Sequence, residues 1–185
     1  LAGAHAWVEE QFDALGLVRT GDAEQPHVTL WSTVLKVPTT AGLVWFKANH
    51  GPLRHEAALV TLLAERVPDR VEPLLATDLD RGWMLMRDGG DQLRASIRPT
   101  KDIQPWEPVI TKYAELQIGL AEHIDEILAL GIPDHRIASL PVLFAEVLTD
   151  EESLMLDQEK GLSSIDLQEI QKRMPRVKEI CDELA

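Results

Sequence analysis

The chain has 185 residues, 45% hydrophobic and 26% charged, and its 18 Lys and Arg against 31 Asp and Glu leave a net charge of −13. That balance lies near the globular average and excludes a disordered chain, while the acidic excess and the lack of any Lys/Arg run exclude a basic nucleic-acid binder. No apolar stretch approaches the roughly 20 residues that span a bilayer, no signal-like leader follows Leu1, and a single cysteine, Cys181, permits no internal disulfide, so the expectation is a cytoplasmic protein without a membrane partner.

Ala4, Val8, Phe12 and Leu15 recur at helical spacing and Gly16 follows where a helix C′ residue belongs, so residues 4–15 read as an amphipathic helix. Runs 27–37 and 43–47, rich in Val, Thr, Leu and Trp, read as an antiparallel hairpin turning through Pro38-Thr39-Thr40-Ala41-Gly42. A helix over 53–67, stopped by Pro68, precedes two further strands, 71–77 and 83–86, joined by the turn Asp78-Leu79-Asp80-Arg81-Gly82. Arg87-Asp88-Gly89-Gly90-Asp91 is a glycine-rich linker, and everything after it reads as helix.

Trp106, Val109, Ile110, Tyr113, Gln117, Leu120, Ile124, Ile127 and Leu128 keep a three-or-four spacing that predicts one long helix ended by Gly131 and Pro133. A short helix is expected over 140–148 and a last one over 165–184. In the latter Leu167, Ile170, Met174, Val177, Cys181 and Leu184 share a face, and Pro175 predicts a kink or a break. Strands followed by segregated helices make the fold class α+β, with a lobe over 1–88 and a helical part over 89–185. Charge follows the same division, −4 over 1–90 and −9 over 91–185.

Chemistry concentrates at Lys47, which closes the strand Val44-Trp45-Phe46-Lys47. Such an ammonium either reaches solvent or meets a carboxylate. On the next helix Glu56 falls within an arc of roughly 60° that also holds Val60, Leu63 and Val67, which aims it at the buried face. It either pairs with Lys47 there or rests half-exposed at the positive end of the helix dipole.

The order of elements, hairpin, V-W-F-K strand, helix with an inward Glu, two strands, linker, helices, resembles a protein-kinase-like small lobe. In residues, H-E-A-A-L-V-T-L-L-A-E-R-V-P, V-E-P-L-L-A-T-D and G-W-M-L-M-R-D-G-G resemble the aminoglycoside phosphotransferase family of small-molecule kinases over about Pro26 to Leu93, and K-Y-A-E-L-Q and L-G-I-P-D continue the likeness. The resemblance implies ATP-dependent transfer of the γ-phosphate to a hydroxyl of a small molecule, with Mg²⁺. It implies that Lys47 contacts the α- and β-phosphates and Glu56 orients it. Met86, Arg87 and Asp88 would form the linker whose backbone meets adenine. Trp31-Ser32-Thr33 would lie where the first two strands turn over the phosphates, with Ser32 and Thr33 as donors in place of a G-x-G-x-x-G.

The family's H-x-D-x-x-x-x-N loop and later metal-binding Asp do not occur. Asp134-His135-Arg136, Asp125 near His123, and Asp150-Glu151-Glu152 do not match them in order or setting, so no catalytic or metal-ligating residue is assigned. In the family that loop would follow a helix like the one ending at Leu184, so the expectation is a fragment silent in catalysis by itself. The reading of a different class is a non-catalytic kinase-like module that binds a nucleotide or a protein. No zinc spacing and no G-x-S-x-G occur, Cys181 lies on an apolar face, and Trp45, Trp83 and Trp106 fall at core-like positions. The acidic helical part would suit a cationic acceptor as well as a merely solvated surface.

Overall fold

In a computed structural model of the protein, residues 2–99 and 102–185 are described, and the chain divides into two compact units, Leu1–Ile132 and Pro133–Ala185. The fold is α+β. The first unit is built on an antiparallel five-stranded sheet of order β1-β2-β3-β5-β4, from β1 (Glu24–Val28), β2 (Ser32–Thr39), β3 (Gly42–Asn49), β4 (Ala76–Asp78) and β5 (Trp83–Arg87).

Period-two alternation gives the sheet two different faces. Leu35, Val37, Val44, Phe46 and Leu85, all at most 3% exposed, pack with Trp7, Val8 and Phe12 of helix α1 (Ala2–Leu15). Trp7, Phe46 and Trp83 stand in a triangle with all three centroid separations at 5.8 Å, an edge-rich arrangement that ring quadrupoles favour. Trp45, Lys47 and Asn49 alternate to the other face, beside helix α2 (Glu56–Arg66).

Three expected elements are shorter or divided, each for a local reason. The run over 27–37 is two strands, because the Thr29 N–H donates to the Ser32 carbonyl (2.8 Å) and the Ser32 N–H to Thr29 Oγ1 (3.0 Å), which closes a turn between them. Pairing in the region 71–77 begins only after Pro73, a residue with no N–H for a ladder. α2 begins at Glu56 because Gly51 (φ +59°) and Pro52 open a separate 3₁₀ turn.

The single helix expected over 106–128 is also two: α4 (Glu107–Leu120) and α5 (Ile124–Ala129), separated by a 3₁₀ turn. His123 (φ −105°, ψ 15°) leaves helical geometry there, a few residues after Gly119, a poor helix former. Trp106, expected in the core, is exposed along with Val109, Ile110 and Tyr113. A short α3 (Leu93–Ile97) precedes them. Arg66 clamps both Glu126 carboxylate oxygens at 2.9–3.2 Å and Arg70 reaches Glu115, so the end of α2 is tied to α5 and α4. These pairs are half-exposed, and each contributes at most about 1 kcal/mol.

The second unit packs α6 (Leu140–Val147) with α7 (Ser164–Leu184) around Leu148, Leu167 and Cys181. Ser163 caps α7 by accepting from the Asp166 N–H at 3.1 Å. The break expected at Pro175 does not occur: α7 stays one helix, anchored by buried Leu167 before the proline and buried Cys181 after it. Pro175 is exposed, so the carbonyl it leaves without an amide partner faces water. Among the described residues no helix is long and apolar enough to cross a membrane.

Candidate functional site

β3 and α2 meet through one charged cluster. Lys47 Nζ donates to both carboxylate oxygens of Glu56, each at 2.6 Å, with the two side chains 26% and 32% exposed. Glu56 opens α2, where a carboxylate also favours the helix dipole, so both roles weighed for it are filled at once. Asn49, two residues beyond Lys47 and therefore on the same face, donates from Nδ2 to Glu56 Oε2 at 2.7 Å. Three donor contacts thus hold one carboxylate.

Asn49 was not a sequence candidate, although period two places it beside Lys47 as soon as Lys47 is singled out. It is 3% exposed, and its Oδ1 has no hydrogen-bond partner among the described residues. Turning the amide would set oxygen against the Glu56 carboxylate, so the donation from Nδ2 fixes which way the amide faces.

Trp45, two residues before Lys47, lies on the same face, and its Nε1–H donates to Asp88 Oδ1 at 2.8 Å. That bond pins the linker to the sheet. Met86 pairs with Trp45 across β3 and β5, whereas Arg87 pairs with Val44 and alternates to the α1 face, away from Lys47. The Asp88 N–H donates to the Leu43 carbonyl at 3.2 Å, so this linker donor is already engaged.

At the β1–β2 turn, Ser32 pairs with Asn49 and shares the face of Lys47, and Thr33 pairs with Ala48 on the opposite face. The Thr33 hydroxyl accepts from Gln25 Nε2 (2.8 Å) and donates to the His27 carbonyl (3.3 Å), which occupies its one proton. Trp31, half-exposed, tops the turn, and a cavity of about 220 Å³ opens beside it, lined in part by Ser32, Asn49 and His50.

The acidic candidates lie apart from this cluster in sequence and do not form a metal centre. Asp125 sits in the first turn of α5, Asp150 accepts from the Ser153 N–H, and Asp134 accepts from the Arg136 side chain at 2.7 and 2.9 Å and from its backbone N–H. Among the described residues no three His, Cys, Asp or Glu side chains are placed to hold a metal ion.

The Arg136 guanidinium, followed by its N–H, holds the Asp134 carboxyl well below its ordinary 3.8. Because the folded value is depressed, the Asp134–Arg136 clasp is intact above the ordinary carboxylate range and is lost as pH falls below it. Carbon-detected carboxyl titration is expected to put Asp134 below 3.8, and Arg136→Ala to move it back upward. An Asp134 midpoint at the ordinary value in the unsubstituted protein would contradict the clasp.

The chain matches no protein-family model, no curated protein and no solved structure.

Proposed function

We propose that the first unit is the nucleotide-holding part of an ATP-dependent phosphotransferase, similar to the aminoglycoside phosphotransferase family, whose acceptor is a hydroxyl of a small molecule. The observation that carries this reading is the Lys47–Glu56 pair: a lysine on a central strand, both oxygens of the next helix's first glutamate at 2.6 Å, and a linker that follows β5, the strand paired with β3. In this arrangement Glu56 and Asn49 hold Nζ by the sheet so that its charge meets phosphate oxygens without first being ordered. Ser32 offers a hydroxyl on the same face, and the base lies toward Met86, Arg87 and Asp88. Trp45, fixed by Asp88, supplies an apolar wall next to that linker.

The described carboxylates favour a second reading for the 185 residues taken alone, a kinase-like module that binds nucleotide without transferring phosphate. Asp134 and Asp150 are engaged by Arg136 and Ser153 in their own turns.

Calorimetry with ATP, in the presence and absence of Mg²⁺, tests both. Lys47→Ala removes the phosphate-facing cation and is expected to weaken ATP binding about tenfold to a hundredfold, with the far-ultraviolet dichroism unchanged. Absence of ATP binding by the unsubstituted protein overturns the proposal, and unchanged affinity in folded Lys47→Ala removes Lys47 from the site. Binding with no turnover of hydroxylated acceptors selects the second reading.

A further inference from the structure

The backbone of Arg87 belongs to the linker of the nucleotide reading, but its side chain points elsewhere. Arg87 ends β5 opposite Val44 and alternates to the α1 face, and no carboxylate lies within ion-pairing distance of its guanidinium among the described residues. It borders a cavity of about 350 Å³, at the lower end of the range typical of small-molecule sites. Leu15 at the end of α1, Leu17 just after it, Val44 on β3 and Leu75 before β4 supply the apolar part of its lining. Gly42 (φ +98°) and Ala41 of the hairpin turn form one lip, with no Cβ at Gly42 to close it. Asp88, the acidic residue on the rim, already accepts the Trp45 indole N–H on the opposite face.

The geometry points to a binding site for a small amphipathic monocarboxylate, with its hydrocarbon body among Leu15, Leu17, Val44 and Leu75 and its carboxylate on the Arg87 guanidinium. A planar fork of N–H donors matches a carboxylate, and the four apolar side chains beside it offer a surface on which a hydrocarbon body is buried. Arg87 and the Asp88 carboxylate both line the cavity, so a ligand with one negative charge meets less repulsion there than a phosphate ester would. The site stands on the face of the sheet away from Lys47 and does not depend on nucleotide binding.

Octanoate, with a chain of about eight carbons suited to a cavity of this size, is the probe, compared with butyrate and with octanol by calorimetry on the full chain. Expected is saturable octanoate binding, tightening by about fourfold per methylene from butyrate upward, with octanol weaker for lack of the charge. Arg87→Gln, at an exposed position, is expected to weaken octanoate about tenfold and to leave octanol unchanged. Ala41→Trp, also exposed, fills the lip and is expected to abolish both. No saturable octanoate binding at millimolar concentration overturns the site, as does octanol binding as tightly as octanoate or an Arg87→Gln affinity equal to that of the unsubstituted protein. The chain-length series and the octanol comparison decide the matter on the unsubstituted protein should either variant fail to fold.

Discussion

Phe46→Ala is expected to lower the unfolding free energy of the Leu1–Ile132 unit by about 3–5 kcal/mol, read as a shift of the urea midpoint. Phe46 has no exposed surface, sits between Leu35 on β2 and Leu85 on β5, and stands 5.8 Å from both Trp7 and Trp83. Its removal leaves a cavity where α1 meets the sheet, and the two facing indoles are too large and too well packed to collapse into it. Phe46→Leu, which keeps most of the volume, is expected to cost less than half as much. A loss below about 1 kcal/mol for Phe46→Ala would mean that the α1 face is not the core of this unit.

Gly82→Ala is expected to cost about 2–4 kcal/mol and to disturb the charged cluster as well. Gly82 is buried with φ +69°, and a Cβ there would stand 2.9 Å from the Asn49 carbonyl, 2.9 Å from Arg54 Cγ and 3.1 Å from the Arg54 carbonyl. Backbone atoms cannot swing aside as a side-chain end can. The strain therefore reaches Asn49, whose N–H donates to the Gly82 carbonyl at 3.0 Å and whose amide holds Glu56. Gly16→Ala is the control: its φ is +67°, nothing lies within 4 Å of the added carbon, and only the conformational cost of about 1–2 kcal/mol applies. Urea melts of both variants check the difference, and equal losses would show that the approach of Gly82 to Asn49 and Arg54 is not tight.

Local chemistry legible in the residues accounts for much of the first unit. The apolar spacing of Ala4, Val8 and Phe12 and the glycine after them mark α1 and its end, and the Asp78–Gly82 turn forms with the Asp78 carboxylate accepting from the Arg81 N–H at 2.9 Å. Glu56 could be placed on the inward side of its helix from the angle it shares with Val60 and Leu63. That it meets Lys47 depends on how α2 lies against β3, which no spacing states.

The expectations that changed depended on competition between local preference and surroundings. A helical period running from Trp106 to Leu128 does not register the 3₁₀ turn after Leu120 or the departure of His123 from helical dihedrals. Pro175 breaks an isolated helix far more readily than one anchored on both sides by Leu167 and Cys181. The spacing of Trp106 with Val109, Ile110 and Tyr113 places it at a core-like position, but burial is decided by what packs against a face, and these residues are exposed.

By itself, then, the sequence determined the α+β class, the hairpin, the position of Lys47 at the end of a strand, and an inward Glu56, because each follows from the periods of two and 3.6 and from turn chemistry within a few residues. Tertiary structure alone decided that Asn49 and Lys47 share one carboxylate, that Trp45 holds Asp88, and that Arg87 turns to the other face beside a cavity. These contacts join residues as many as 43 positions apart, and the strand pairing that brings β3 beside β5 creates them.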